Sequence, residues 1–303
     1  MVTRRQFLKQ SAASAGLLRE LLASPASPNP FFAPFFAMDT AMVKTFGALL
    51  DQSDLQLLMQ LGYSGVAPIA SSPETWNHLV RSDLSWCTQF HLRLYAVYSS
   101  IKVGSAGAVT DPGIAANLPA LKDTATTIWL PVTSTEFKPS DLAADRLIVP
   151  AVRQIADLAA RNGCFVALYP HFESVIERVD DAIRIARQCE RPNVGVTFNL
   201  CHWLRTAGPQ NGPENAAAQI KRALPVLSQV TINGANRDGS SWQELIQPLD
   251  QGTFNVKSFL KQLRDAGYHG PIGLQGYDVA KTFHLEPKEN LQRSMAAWKA
   301  MNA

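Results

Sequence analysis

Two histidines stand just beyond short apolar runs. His171 follows the run Cys164–Tyr169 across Pro170, and His202 follows Val194–Phe198 with Asn199 between them. An imidazole changes charge near neutral pH, so each can act as general acid or base, or as a metal ligand. Glu136 is the one carboxylate close behind the run Ile128–Val132. Gln275 ends the apolar run Ile272–Leu274, where a buried amide must hydrogen-bond a ligand, a metal or a neighbouring side chain. These types suit removal of a proton next to a carbonyl, with His171 or Glu136 as base. His202, Asn199 and Gln275 would then hold a metal or donate hydrogen bonds to the oxygen that gains charge.

Such side chains converge only if the runs that carry them lie side by side. Eight apolar runs recur along the chain: Phe35–Met38, Val66–Ile69, Leu92–Tyr98, Ile128–Val132, Cys164–Tyr169, Val194–Phe198, Val230–Ile232 and Ile272–Leu274. They show little polar alternation, as strands covered on both faces should. Stretches of helical spacing separate them: Ser53–Leu61, Pro73–Phe90, Ala115–Leu121, Ser140–Arg161, Val175–Cys189, Pro213–Leu224 and Val256–Ala266, with Asn290–Met301 closing the chain. Strand–helix alternation of this kind predicts a parallel sheet, and eight units fit a single (β/α)8 TIM barrel of α/β class over residues 35–303. An open doubly wound sheet would usually place a Gly-rich turn after its first strand, but that strand ends in Asp39-Thr-Ala-Met42.

In a barrel the residues after the strands share one rim. The rim then holds the ring faces of Tyr98, Tyr169, Trp203 and Tyr277, the amides of Asn199, Asn233 and Gln275, and the two histidines. Amides and hydroxyls serve the oxygens of a sugar, and rings serve its C–H faces. A phosphate would call for a Lys/Arg cluster or a glycine nest, and neither is evident.

The net charge of +3 over 303 residues, with no run of Lys or Arg, argues against duplex nucleic acid as a partner. Four cysteines without CxxC spacing read as small buried hydrophobes. No segment has 18 uninterrupted apolar residues, so no membrane span is expected in the mature chain. The N-terminus differs in kind. Thr3-Arg-Arg-Gln-Phe-Leu-Lys9 precedes a small, weakly apolar stretch interrupted by Arg19 and Glu20, then Ser24-Pro-Ala26. Residues 1–26 resemble a twin-arginine export signal, 27–34 read as a linker, and a bacterial periplasmic location is expected.

The stretch Val194–His202, together with Ala167-Leu-Tyr-Pro-His171, Val230-Thr-Ile-Asn-Gly-Ala-Asn236, Gly267-Tyr-His-Gly-Pro-Ile-Gly-Leu-Gln275 and Gly62-Tyr-Ser-Gly-Val66, resembles the sugar phosphate isomerase/epimerase family. These are the xylose isomerase-like barrels, which also include the type-2 AP endonucleases. The resemblance runs from about Phe35 to the C-terminus. It implies a divalent metal held by a Glu after the fifth strand, an Asp and a His around the sixth, and a Glu after the eighth. Those positions carry Tyr169 (or, by transfer of role, His171), Asn199 with His202, and Gln275. A neutral set of His171, His202, Asn199 and Gln275 would bind Mn, Co, Zn or Mg weakly, favouring the softer ions. Taken with the N-terminal segment and the rim residues, the resemblance leads to the expectation of an exported enzyme for a non-phosphorylated sugar derivative, an isomerase, epimerase or lyase, with Tyr98, Tyr169, Trp203, Asn233 and Tyr277 binding substrate. The alternative is a metal-free barrel that binds carbohydrate without turnover. A nuclease would need several carboxylate-bound metals and a basic groove.

Overall fold

The structure is a computed structural model that describes residues 33–302 except 208–212. The segment 1–26 read as an export signal lies outside the described residues, as does most of the 27–34 linker. The strands are β1 Phe35–Met38, β2 Gly65–Ala67, β3 Arg93–Leu94, β4 Ala96–Tyr98, β5 Ile101–Gly104, β6 Gly107–Thr110, β7 Thr127–Leu130, β8 Val132–Thr133, β9 Phe165–Leu168, β10 Val194–Asn199, β11 Leu227–Ile232 and β12 Ile272–Leu274. The helices are α1 Gln52–Leu61, α2 Pro73–His78, α3 Leu84–Gln89, α4 Pro112–Asn117, α5 Asp145–Arg161, α6 Val179–Cys189, α7 Leu200–Ala207, α8 Pro213–Ala223, α9 Trp242–Leu245, α10 Val256–Asp265, α11 Val279–Thr282 and α12 Pro287–Met301.

Nine parallel segments follow the order β3-β2-β1-β12-β11-β10-β9-β7-β4. The ends of this series, β3 and β4, are the two halves of the predicted third strand, separated at Tyr95. Arg93 and Leu94 pair with β2, whereas Ala96–Tyr98 pair with β7. The Tyr95 backbone bridges both sides, donating to the Val66 carbonyl and accepting from the Thr127 N–H. The barrel therefore closes through one bent strand, and the eight-strand reading holds.

The periodicity of β1 shows how the core is divided. Phe35 and Ala37 face outward, where Phe35 stacks on Trp298 of α12 at 4.3 Å. Phe36 and Met38 face inward with Tyr95, Ala96, Trp129, Ala167 and Tyr169. Phe36 stacks on Tyr95 at 4.8 Å, and its ring leaves no room for a side chain at position 273, where a Cβ would come within 2.6 Å. The indole N–H of Trp129 donates to Gln229 Oε1, whose amide donates in turn to the Tyr95 carbonyl at 2.9 Å. This aromatic plug fills the barrel interior, and the ligand-sized space described below lies at the C-terminal ends of the strands, as in barrels generally.

Several boundaries differ from the expectations. Pro131 lacks an N–H and splits the fourth run into β7 and β8. The fifth helical stretch starts at Val179, because 171–178 form a tight loop. A β5–β6 antiparallel hairpin, which paired β8 extends, was not foreseen, nor were the short helices α7, α9 and α11 on the rim. All four cysteines are buried and free. Among the described residues no helix is long and apolar enough to cross a membrane.

Candidate functional site

A cavity of about 360 Å³ opens at the C-terminal ends of the strands, lined by residues from the ends of β1, β2, β4, β9 and β12 and from α7 and α9. His171 and His202 meet there, with ring centroids 4.1 Å apart. His202 occupies the first turn of α7, which begins as soon as β10 ends, and is 5% exposed. His171 sits in the loop after β9, where its N–H donates to the Ile176 carbonyl and its carbonyl accepts from Ser174 N–H, both at 3.0 Å.

The backbone of Phe172 decides the protonation pattern of both rings. Its carbonyl can only accept, so the His171 Nδ1 that lies 2.8 Å away carries the hydrogen. Its N–H can only donate, so the His202 Nδ1 at 3.4 Å is bare. In the neutral rings, His171 is left with a lone pair on Nε2 and His202 with a hydrogen on Nε2. Both rings favour the neutral form. Burial lowers the pKa of His171, against the opposing pull of the Phe172 carbonyl and the Glu173 charge. His202 lies well below the usual range, through burial and then through repulsion from His171.

Gln275 is oriented just as firmly. Its Oε1 accepts from Thr40 Oγ1 at 2.5 Å, Gly276 N–H at 2.8 Å and Tyr277 N–H at 3.2 Å. With the oxygen filled, the amide contributes through Nε2–H. Burial holds the nearby Tyr169 phenol well above its ordinary pKa, against the opposing pull of Thr231 and Gln275. Thr231 Oγ1 donates on to Asn199 Oδ1 at 3.1 Å, and Asn199 Nδ2 donates to the Pro170 carbonyl and to Thr197 Oγ1, both at 3.0 Å. Neutral hydrogen bonds thus hold Gln275 to Thr40, and a separate neutral chain holds Asn199 to Thr231, Pro170 and Thr197.

Aromatic groups form the walls. Tyr98 meets the Tyr169 ring edge-on at 5.0 Å, and Trp242 meets His202 edge-on at 5.4 Å. Phe172 is covered by the Arg205 guanidinium at 4.8 Å from its ring centre. At the mouth, Phe46 (58% exposed) and Tyr277 (40% exposed) meet edge-on at 5.5 Å. No Lys or Arg lines the cavity, and its one carboxylate, Glu173, is exposed.

The sequence-predicted residues divide accordingly. His171, His202, Gln275, Tyr98, Tyr169 and Tyr277 all line the cavity. Glu136, Trp203, Asn199 and Asn233 do not. Glu136 is corrected as a base: its loop turns away, and its carboxylate accepts from Ser105 N–H at 2.7 Å, which clasps it to the β5–β6 hairpin. Trp203 is corrected as a sugar platform. Consecutive helical residues point about 100° apart, so with His202 facing the cavity Trp203 packs outward against Phe198 and Phe259. Asn233 is buried and donates to the carbonyls of Gly234 and Leu245, holding the loop after β11. Asn199 is 1% exposed and spent on the chain described above.

Seven further lining residues were missed: Met38, Thr40, Phe46, Ile69, Phe172, Trp242 and Ile246. Trp242 had a readable signal, the Ser241–Glu244 capping box that starts its helix. Met38, Thr40, Phe46 and Ile69 are brought in by the β1 and β2 ends, Phe172 by the loop after β9 and Ile246 by the end of α9. Between Met38 and Thr40, Asp39 is buried. One of its oxygens accepts from Ile69 N–H at 2.7 Å, and the other has no partner. Burial pushes its carboxyl up to about 7, against the pull of the Ile69 and Thr40 N–H groups.

The expected metal set does not fit a divalent ion. Asn199 Oδ1 and Gln275 Oε1 are taken by protein donors, and His202 has its bare nitrogen turned to Phe172. What these groups leave for the cavity is N–H rather than lone pairs. Among the described residues no three His, Cys, Asp or Glu side chains are placed to hold an ion.

Comparison with known proteins agrees with this architecture. A family model described as xylose isomerase-like TIM barrel matches residues 25–301. No curated protein matches the chain. Similar solved structures include IolI protein with a bound zinc atom, at 14% identity and TM-score 0.65 over 88% of this chain and 97% of that one. D-allulose 3-epimerase from Methylomonas sp. in complex with D-allulose is similar at 16% identity and TM-score 0.64, over 92% and 99%. The probable 3-DHS dehydratase AsbF from Bacillus anthracis is similar at 13% identity and TM-score 0.65, over 86% and 97%. At such identities these likenesses show the fold. The family match spans nearly the whole chain, and the protein belongs to the xylose isomerase-like TIM barrel family.

Proposed function

We propose that this cavity binds a non-phosphorylated sugar or sugar derivative in its carbonyl form and removes the proton next to the carbonyl. Isomerisation, epimerisation and elimination share this step. The observation that carries the reading is the histidine pair: a neutral imidazole with a free Nε2 lone pair, His171, stands beside one that offers an N–H, His202. A volume of about 360 Å³ suits a small molecule. The aromatic walls suit C–H faces, and the lack of a lining cation argues against a phosphate. Barrels of this family seen on an epimerase and a probable dehydratase are consistent with such chemistry. Export to the periplasm, proposed from Arg4 and Arg5, would place the protein among free sugars.

Abstraction leaves a trace whatever the product. Incubation of keto-sugars and aldoses with the protein in D2O should introduce deuterium at the carbon next to the carbonyl, read by proton NMR. His171→Ala should abolish the exchange while keeping sugar binding by calorimetry. A panel of sugars that bind and never exchange would sink the catalytic reading.

That outcome would favour a second reading, a carbohydrate-binding barrel without turnover. The observation behind it is a cavity whose described lining holds no buried carboxylate, with Gln275 and Asn199 already bonded to neutral protein groups.

A further inference from the structure

The His78–Asp83 pair at 3.2 Å sits against the Leu50 carbonyl and is a helix-packing contact. Asp39 does not line the cavity described above, and its unpartnered oxygen is enclosed.

We infer that His202 and Gln275 form a neutral two-donor cradle for one ligand oxygen, with hydrogen-bond polarity imposed by the backbone, and that this cradle does the work of a cation. This rests on the proposed reading of a carbonyl ligand. His202 cannot turn its bare nitrogen inward while Nδ1 accepts from Phe172 N–H. Gln275 cannot turn its oxygen inward while Oε1 accepts from Thr40, Gly276 and Tyr277, two of these being backbone donors. With its oxygen so held, the Gln275 amide has the hydrogens of Nε2 to give. Both residues line the same cavity as His171. Phe172 is the positioning residue, since its backbone alone gives the two rings opposite tautomers.

The step balances without a co-reactant. His171 Nε2 takes the proton from the carbon next to the carbonyl. The C–H electron pair becomes a carbon–carbon double bond, and the former C=O pair moves to oxygen. The two N–H groups meet that charge, and the proton returns from His171 to the same carbon, or to the neighbouring one when the hydroxyl proton of the enediolate passes from one oxygen to the other. Preorganised donors aimed at a developing oxyanion are an established source of rate. Donors of this kind repel a cation, so the ligand class is a carbonyl compound that passes through an enediolate, with no metal required.

The test is spectroscopic and independent of turnover. The full chain labelled with [15N]histidine has six histidines, and His171 and His202 are assigned by single His→Gln variants. Long-range proton–nitrogen correlation at pH 7.5 should show His171 as the Nδ1–H tautomer and His202 as the Nε2–H tautomer. Addition of equimolar Mn2+ should leave both signals unbroadened. His202 found as the Nδ1–H tautomer or as imidazolium, or selective broadening of the pair by Mn2+, would overturn the inference. In Gln275→Glu, the new carboxylate should move the His202 signals toward imidazolium at pH 6. An unmoved His202 in the folded variant would mean that the two groups do not share one oxygen, and would also overturn it. Expected tautomers without any deuterium exchange would count against the proposed reaction and leave the cradle standing.

Discussion

His171 and His202 lie ring to ring, 4.1 Å between centroids, and face the backbone of one residue, Phe172, with nitrogens of opposite kind. Protonating either ring there means placing charge in a buried space beside its neighbour. The pair should therefore be a liability in acid. Each folded-state pKa is lowered, so their contribution to stability is present above the ordinary histidine range and is lost as pH falls through it. Going from pH 7 to pH 5, the parent should lose on the order of 1–3 kcal/mol more than a His171→Gln, His202→Gln double variant. Urea midpoints at the two pH values measure the difference, and parallel losses would contradict it. Glu173, which raises His171 slightly, is common to both proteins.

Asp39 titrates in the opposite sense. Burial raises its carboxyl from 3.8 to about 7. A raised folded-state pKa contributes stability below the unfolded value and loses it as pH rises through the folded one. Asp39→Asn cannot ionise and should overtake the parent between pH 3.5 and pH 8. The relative gain is expected to be about 2–4 kcal/mol, from roughly three pKa units at ~1.4 kcal/mol each. Thermal melts across that range, read as the difference between variant and parent, settle the sign.

The Tyr169 phenol is buried among polar neighbours, Thr231 and Gln275. Tyr169→Phe removes a polar group from that closed space. It should cost about 1–3 kcal/mol in denaturant unfolding. Thr40→Ser keeps the hydroxyl that orients Gln275 and should cost less than Tyr169→Phe.

Phe46 and Tyr277 are exposed rings at the mouth of the cavity. Phe46→Ser should change stability by no more than ~0.5 kcal/mol. If the rings stack on a sugar, the same change should weaken its binding by ~0.5–1.5 kcal/mol, or about 2- to 12-fold in Kd. Calorimetry with a sugar identified by the exchange screen gives the ratio.

Export is tested in a bacterial host by cell fractionation. Arg4→Lys with Arg5→Lys should leave the protein in the cytoplasm, while the parent reaches the periplasm. Equal distribution of the two proteins would remove the twin-arginine reading of residues 1–26.

The barrel was legible because its physics is local. Runs such as Phe35–Met38 and Val194–Phe198 can be buried on both faces only in a parallel sheet, and helical stretches such as 140–161 must cover that sheet. His171, His202 and Gln275 were legible for the same reason, since a polar residue that ends an apolar strand falls on the rim. Helix phase was harder to read: that His202 faces the cavity and Trp203 the outer core depends on how α7 docks against Phe198 and Phe259. The role of Glu136 followed from a hairpin at Ile101–Thr110 that no run announced. The sequence by itself determined the alternation of strands and helices and the ring of neutral polar groups, Tyr169, Asn199 and Gln275 among them, at the strand ends. Only the tertiary structure decided which atoms of those groups face the ligand. Hydrogen-bond polarity is set by partners far away in the chain, such as Thr40, which lies 235 residues from Gln275.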